Sequence, residues 1–350
     1  MAGCSPAAIL DFSASINPLG PPASAIAAIQ SHLPELVAYP DPAYTHLRAA
    51  IAQFHGLSPD WILPGNGAAE LLTWACRDLS ALDAVYLPTP AFSDYTRALQ
   101  AFDAIVVRYP LADFAAASVA PCQLPPPATL QHSTAKTGLL LNNPHNPTGH
   151  LFTPDNLLPF LEHCALVVID EAFMDFLPPA HAKSLVEWVE RFPNLVIVRS
   201  LTKFYSLPGL RLGYAIAHPD RLHRWQQWRD PWSVNTLAAA VGEVVLQDTT
   251  FQQQTWDWLD QTRPQLIQAL RTLPGLYPFP SAANFLLVRT DAAVPQLQAE
   301  LLQRHQVFIR DCLSFAELGD RYFRIAIRSD QENQRLVNSL ADCLPLITND

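Results

Sequence analysis

Apolar residues in this chain gather into short unbroken runs separated by longer amphipathic stretches. AVYL (84–87), AIVVR (104–108), GLLL (138–141), LVVID (166–170), LVIVR (195–199) and GYAIA (213–217) are each four or five residues long. Runs of that length without polar alternation predict strands buried on both faces. Between them, AAELLTWACRDL (68–79) and the segment around SDYTRALQAF repeat their apolar residues at helical spacing. Strands alternating with helices predict an α/β fold, a mainly parallel sheet covered on both sides.

The pattern changes after Pro231. A long helical stretch from about 234 to 273 is interrupted near Asp248, and NFLLVR (284–289), QVFIR (306–310) and YFRIAI (322–327) follow as strands before a closing helix. This predicts a smaller α+β domain. The expected division is an arm over 1–45, packing on the small domain or a partner chain, a large domain over 46–235 and a small domain over 236–350. PCQLPPPATLQHSTAK (121–136) reads as an irregular crossover. Trp225, Trp228 and Trp232 are spaced for packing at a domain or dimer seam.

At 350 residues, 49% of them hydrophobic and 15% charged, the chain is globular and long enough for two cores. A net charge of −10 without any long basic run argues against nucleic acid as the partner. The six cysteines are scattered with no C-x-x-C pair, which predicts reduced thiols and neither a disulfide frame nor a zinc site. No cluster of His, Cys and carboxylates has metal-ligand spacing. The opening MAGCSPAAILDFSASINP lacks a basic start, and no apolar run approaches the roughly 18 to 20 residues of a membrane helix. A soluble cytoplasmic protein is expected.

Four stretches carry candidate chemistry. LPGNGAAELL opens a glycine turn into a helix at Ala68, where free N–H groups and the helix dipole favour phosphate, although most such turns simply start helices. LLLNNPHNPTGH ends a buried strand in Asn146, held between two prolines at the edge where open α/β sheets contact ligands. LVVIDEAFMDF ends another strand in Asp170, a carboxylate that needs either a structural cation or a protonated ligand nitrogen. SLTKFYSLPGLRLGY holds Lys203, one of only three lysines against 19 arginines. A desolvated lysine becomes a nucleophile toward carbonyls, and Ser200, Thr202 and Arg211 could close around a phosphate. In this order the four describe one ligand, pyridoxal 5′-phosphate, whose aldehyde needs a lysine, its ring nitrogen an acid, its phenolic oxygen a donor and its phosphate N–H groups, hydroxyls and an arginine.

Together NPHNPTG, DEAFMDF and SLTKFYSLPGLRLGY resemble the fold-type I pyridoxal-phosphate enzymes, in the histidinol-phosphate aminotransferase-like branch of the class I/II aminotransferases. The likeness runs from SINPLGPP to FRIAIRS. It implies a large domain built on a mainly parallel seven-stranded sheet with a smaller α+β domain. It also implies that Lys203 bonds the cofactor aldehyde, Asp170 pairs with the pyridine nitrogen, Asn146 donates to the 3′-oxygen and Phe92 stacks on the ring. Ala68, Ala69, Ser200, Thr202 and Arg211 would hold the phosphate, and Arg324 the substrate carboxylate. Tyr39 would reach the cofactor phosphate of a neighbouring subunit, which implies a homodimer with shared sites. Arg328, four residues beyond Arg324 on one strand face, would serve the substrate phosphate or pair with an acid. His145 is expected to be a loop residue.

One position departs from the aminotransferase pattern. That branch carries tyrosine three residues after the aspartate, and this chain carries Phe173. DEAFMDF and the opening DFSASINPLGPP look more like the sister group of threonine-phosphate decarboxylases of cobalamin synthesis, with Ser15 in place of that group's asparagine. The resemblance therefore implies decarboxylation of L-threonine O-3-phosphate, with histidinol-phosphate transamination as the alternative. A non-catalytic regulator would show a fused DNA-binding domain or a lost lysine, and this chain has neither.

Overall fold

The structure, a computed structural model, describes residues 8–111, 124, 127 and 136–348. Cys4, Cys122 and most of the crossover expected over 121–136 lie outside the described residues. Seven strands form the main sheet: β2 (Ile62–Gly65), β3 (Ala84–Thr89), β4 (Val106–Pro110), β5 (Thr137–Asn142), β6 (Leu166–Asp170), β7 (Leu195–Ser200) and β8 (Gly213–Ala217). Their order is β2-β8-β7-β6-β5-β3-β4. The strands from β3 to β7 pair in parallel, while β8 lies antiparallel between β7 and β2.

Both faces of this sheet are covered, which is why most of its strands read as unbroken apolar runs; the exception is the edge strand β4, half-buried to exposed although AIVVR reads as apolar as the rest. Side chains alternate across a strand. Val85, Leu87, Leu140, Val168, Val196 and Val198 enter one core. Their neighbours Tyr86, Leu139, Leu141, Val167, Ile169 and Ile197 enter the other. Helix α3 (Ala68–Ser80) presents Leu71, Leu72, Ala75, Cys76 and Leu79 to the first core, and α4 (Ser93–Gln100) adds Tyr95, Ala98 and Leu99. Trp225 and Trp228 of α7 (Pro219–Trp228) join this core. The Trp225 indole donates to Asp78 of α3, and Arg77 lies over Trp228. Within one chain, their place is against the sheet's own helix. Trp232 is separate, exposed and stacked on Tyr39.

The expected break in the long helix is a cap. Asp248 accepts from the Phe251 N–H at 3.0 Å, ending the stretch of α8 (Thr236–Val245) and starting α9 (Thr249–Arg271). Phe251, Thr255, Leu259, Thr262, Leu266 and Leu270 make the buried stripe of α9 at helical spacing. Beyond it, β9 (Leu276–Pro278), β10 (Phe285–Thr290), β12 (Arg310–Asp311) and β13 (Tyr322–Ala326) form an antiparallel sheet in the order β12-β13-β10-β9. QVFIR, expected as one strand, splits. Its first half is β11 (Val307–Phe308), which pairs with β1 (Leu10–Asp11), and its second half is β12.

After β1 the chain crosses toward the main sheet. Ala326 N–H donates to Phe12 O, and Asn17 N–H donates to Lys203 O. The Asn17 amide also donates to Phe204 O and to Thr255 of α9, at 2.8 and 2.9 Å. The N-terminal segment therefore ties the Lys203 segment to the long helix.

Candidate active site

The carboxyl ends of β3, β5, β6 and β7 converge on one edge of the sheet. On that edge β4 lies to one side of β3 and β5 to the other, so the chain reverses direction there and opens a crevice. A cavity of about 220 Å³ fills the crevice, lined among others by Phe92, Asn146, Asp170, Phe173, Lys203 and Arg324. Phe92, Asn146, Lys203 and Arg324 come from four different parts of the chain, and Asp170 and Phe173 share a fifth, so no short stretch of sequence holds the whole site.

Asp170 ends β6 and is 6% exposed. Burial pushes its carboxyl above the ordinary value, opposed by the charge of Lys203, by Tyr95 and by the Ala172 N–H. The Tyr95 hydroxyl donates to Oδ2 at 2.7 Å and the Ala172 N–H to Oδ1 at 3.0 Å. Lys203 lies on the single turn α6 (Leu201–Phe204) after β7. Loss of water lowers its amine below the usual lysine range; Asp170 opposes this, while Arg324 and Arg211 add to it. Its Nζ stands 4.7 Å from the Phe173 ring centroid, over a ring that lacks the tyrosine hydroxyl. Phe173 in turn packs edge-on to Phe285 of the small sheet at 4.9 Å.

The loop bearing Asn146 is fixed by its neighbours. Asn143 exchanges two hydrogen bonds with the backbone of Phe152, both 2.9 Å. His145 is buried, bonds Thr148 and meets the ring of Phe152 edge-on. Burial brings its imidazole down to about 3, so it is neutral. Arg324 Nη1 donates to Asn146 Oδ1 at 2.6 Å and Nη2 to Ser13 O at 2.9 Å. With its oxygen occupied, the Asn146 amide has its N–H₂ left for a ligand. Arg324 Nε has no partner, and burial lowers its guanidinium to about 10.

A second cluster lies at the start of α3. Gly67, with φ of +76°, caps the helix, and a Cβ there would collide with the Arg211 guanidinium. A Cβ on Gly213 would come within 2.6 Å of the Ala68 nitrogen. Ser200 and Thr202 share a 2.8 Å hydrogen bond beside Gly213, Ser200's partner across β7 and β8. The free N–H groups of Ala68 and Ala69, two hydroxyls and Arg211 thus frame a cup that admits no extra methyl.

Two candidates lie elsewhere. Tyr39 is 80% exposed and does not line the cavity within one chain. Arg328 follows the end of β13, which stops at Ala326, so strand alternation no longer directs it beside Arg324. It pairs with Glu332 at 2.7 Å and donates to Asp11 O.

Sequence reading passed over three residues and named a fourth, Ser15, without placing it in the site. Ser15 lines the cavity with a buried hydroxyl that has no partner, and Asn17 anchors the Lys203 backbone. Tyr95 stands one helical turn from Phe92, a spacing that does signal a shared face. Arg310 lies directly opposite Arg324 in the β12–β13 register, a pairing invisible without the small sheet.

Comparison with known proteins bears on this arrangement. The chain is 38% identical to the threonine-phosphate decarboxylase of Salmonella typhimurium, over 98% of this chain and 93% of that one. It is 35% identical to the histidinol-phosphate aminotransferase of Symbiobacterium thermophilum, over 94% and 88% of the two chains. Its fold matches the crystal structure of the histidinol-phosphate aminotransferase from Clostridium acetobutylicum with a TM-score of 0.88 at 26% identity, covering 97% of this chain and all of that one. Residues 7–340 match the family model for class I and II aminotransferases, and with nearly the whole sequence covered the chain belongs to that family.

Proposed function

We propose that this protein is a pyridoxal 5′-phosphate enzyme that decarboxylates L-threonine O-3-phosphate to (R)-1-amino-2-propanol phosphate and CO2. The residues fit the cofactor. The cup at α3 is closed to any Cβ at Gly67 or Gly213, as a close phosphate contact requires. Lys203 meets the aldehyde as a desolvated amine, Asp170 holds the ring nitrogen, Asn146 offers its N–H₂ to the 3′-oxygen and Phe92 covers one ring face. When bound, the cofactor accepts the electron pair left behind as a bond to the substrate α-carbon breaks.

The observation that carries the substrate assignment is the facing pair Arg310 and Arg324. Like charges directly opposite on a sheet repel. Arg310 helps to lower the Arg324 guanidinium, and no carboxylate bonds either one among the described residues. Two adjacent unneutralised guanidinium groups suit a ligand with two anionic groups. L-threonine O-3-phosphate has a carboxylate and a phosphate, whereas histidinol phosphate has only the phosphate. The 38% identity with a threonine-phosphate decarboxylase supports the same reading.

The chain's own groups then divide the work. Arg310 and Arg324 bind the two anions and fix rotation about the substrate's Cα–N bond, so that the Cα–carboxylate bond and not Cα–H is aligned for cleavage. Phe173 gives Lys203 an apolar wall with no competing hydroxyl. The carboxylate would leave as CO2 with its bonding pair left behind at Cα, which keeps its own hydrogen, and Lys203, as the ammonium, would donate one proton to that carbon. A second copy of the chain would complete the site by bringing Tyr39 to the phosphate cup.

Purified holoenzyme given L-threonine O-3-phosphate without any keto acid should release CO2, and Lys203→Ala should not. No release, with keto-acid-dependent turnover of histidinol phosphate instead, would make the chain an aminotransferase.

A further inference from the structure

Phe92, at the N-cap of helix α4, and Tyr95 within it both line the cavity, and Tyr95 has no role in the reading above. Tyr95 is 1% exposed, and its hydroxyl donates to Asp170. Its ring meets Phe92 edge-on, with centroids 5.5 Å apart and planes at 88°. Burial keeps the phenol well above its usual range, so it stays a donor at every working pH.

Asp170 needs that donor. Its carboxylate is buried, and the strongest influence keeping it ionised is the charge of Lys203. That charge is not permanent, because the lysine amine is itself desolvated and is consumed when it bonds an aldehyde. The neutral donors do not change. Of these, the Ala172 N–H alone would leave the carboxylate free to swing about its last torsion. A second donor on the other oxygen fixes its plane. The other charged neighbour, Asp94, works against ionisation, and Cys76 beside Tyr95 is a thiol raised to about 12 and therefore neutral.

We propose that Tyr95 is a positioning residue for the cofactor: its hydroxyl orients Asp170 toward the ring nitrogen and its ring props Phe92 against the ring face. One side chain of α4 thereby sets two contacts on perpendicular sides of the same ligand. The inference rests on the pyridoxal-phosphate reading and adds a residue that acts through Asp170.

A double-mutant cycle tests it, read as cofactor affinity of the full-length apoprotein titrated with pyridoxal 5′-phosphate. Tyr95→Phe removes one hydroxyl and keeps the ring. A hydrogen bond to a charged group predicts about a tenfold or greater loss of affinity in the wild-type background. In an Asp170→Ala background the same change should cost nothing, because its partner is gone. The pH midpoint of the bound cofactor's visible band should rise in Tyr95→Phe, since a less positive ring lets the Lys203 nitrogen hold its proton more tightly. Tyr95→His, which restores a donor on a ring, should recover part of the loss and serves if Tyr95→Phe folds poorly. Equal losses in both backgrounds, or an unmoved midpoint, would reduce Tyr95 to packing and overturn the proposal. A wild-type chain that develops no Lys203-dependent visible band would instead overturn the cofactor reading beneath it.

Discussion

At the scale of single residues, the site is a set of groups held away from their ordinary charge states. Lys203 is lowered by burial, Asp170 is raised by it, and each offsets the other. His145 shows the same physics without an opposite charge to offset it. Its imidazole is brought down to about 3, and burial does the same to His55 beside Tyr214. An unfolded histidine titrates near 6.5. The folded value lies below the unfolded one, so stability is full above about pH 6.5 and falls as pH drops toward 3. Each such histidine removes up to about 1.4 kcal/mol per pH unit within that window. Urea melts of the apoprotein between pH 6 and 4 should therefore show a shallower pH slope in His145→Asn than in wild type, by about that amount. Parallel slopes would mean that His145 is charged or solvated in the folded protein.

At the scale of elements, the phosphate cup depends on how closely β8, the Arg211 turn and the start of α3 approach each other. The two glycines there predict different failures. Alanine at Gly67 strains a left-handed backbone at a cost of about 1–2 kcal/mol and displaces only the end of a flexible arginine. Alanine at Gly213 would press on backbone, the Ala68 nitrogen at 2.6 Å and the Arg199 carbonyl at 2.7 Å, which cannot move aside. Gly67→Ala should weaken cofactor binding about tenfold or more with a melting temperature lower by only a few degrees. Gly213→Ala should lose both binding and stability. Cofactor titration beside a thermal melt separates the two, and equal effects in both measurements would deny the cup its geometry. Elements of this kind were legible in the sequence where burial is two-sided. The runs beginning at Ala84, Gly138, Leu166, Leu195 and Gly213 announce strands because both faces exclude water. Strand β2 was hidden, since ILPG carries the proline and glycine that usually mark a turn. The split of QVFIR was hidden too, because its halves pair with partners some 300 and 13 residues away in the chain. Asn146, Asp170 and Lys203 stand at strand ends and could be read one by one. Arg310 is brought opposite Arg324 only by tertiary pairing, which leaves no local periodicity to find, whereas Tyr95 is signalled only by its three-residue spacing from Phe92 and Ser15 only by the motif that holds it.

At the scale of the whole molecule, one stretch among the described residues is both apolar and exposed. Leu33, Leu36, Val37 and Tyr39 follow α1 (Ala23–His32) along one short stretch and are 50, 55, 94 and 80% exposed. Trp232, also exposed, stacks on Tyr39 with centroids 4.6 Å apart. A contiguous apolar patch of this kind marks an interface. A second copy of the chain fits it, because the same stretch carries the residue expected to complete a neighbour's phosphate cup. Such an arrangement is isologous, so each dimer would hold two sites, each drawing Lys203 from one chain and Tyr39 from the other. The consequence is testable by mixing. Lys203→Ala chains are inactive for want of the amine, and Tyr39→Ala chains are weakened for want of the phosphate contact. Unfolded together and refolded at equal concentration, half of the dimers are mixed on random pairing. One site of each mixed dimer then joins the intact Lys203 of one chain to the intact Tyr39 of the other. That site should show wild-type cofactor affinity and turnover, so the mixture exceeds the sum of the two variants refolded apart. A mixture no more active than that sum, or a wild-type chain of single-chain mass by light scattering, would confine the site to one chain and leave the exposed stretch to a different partner.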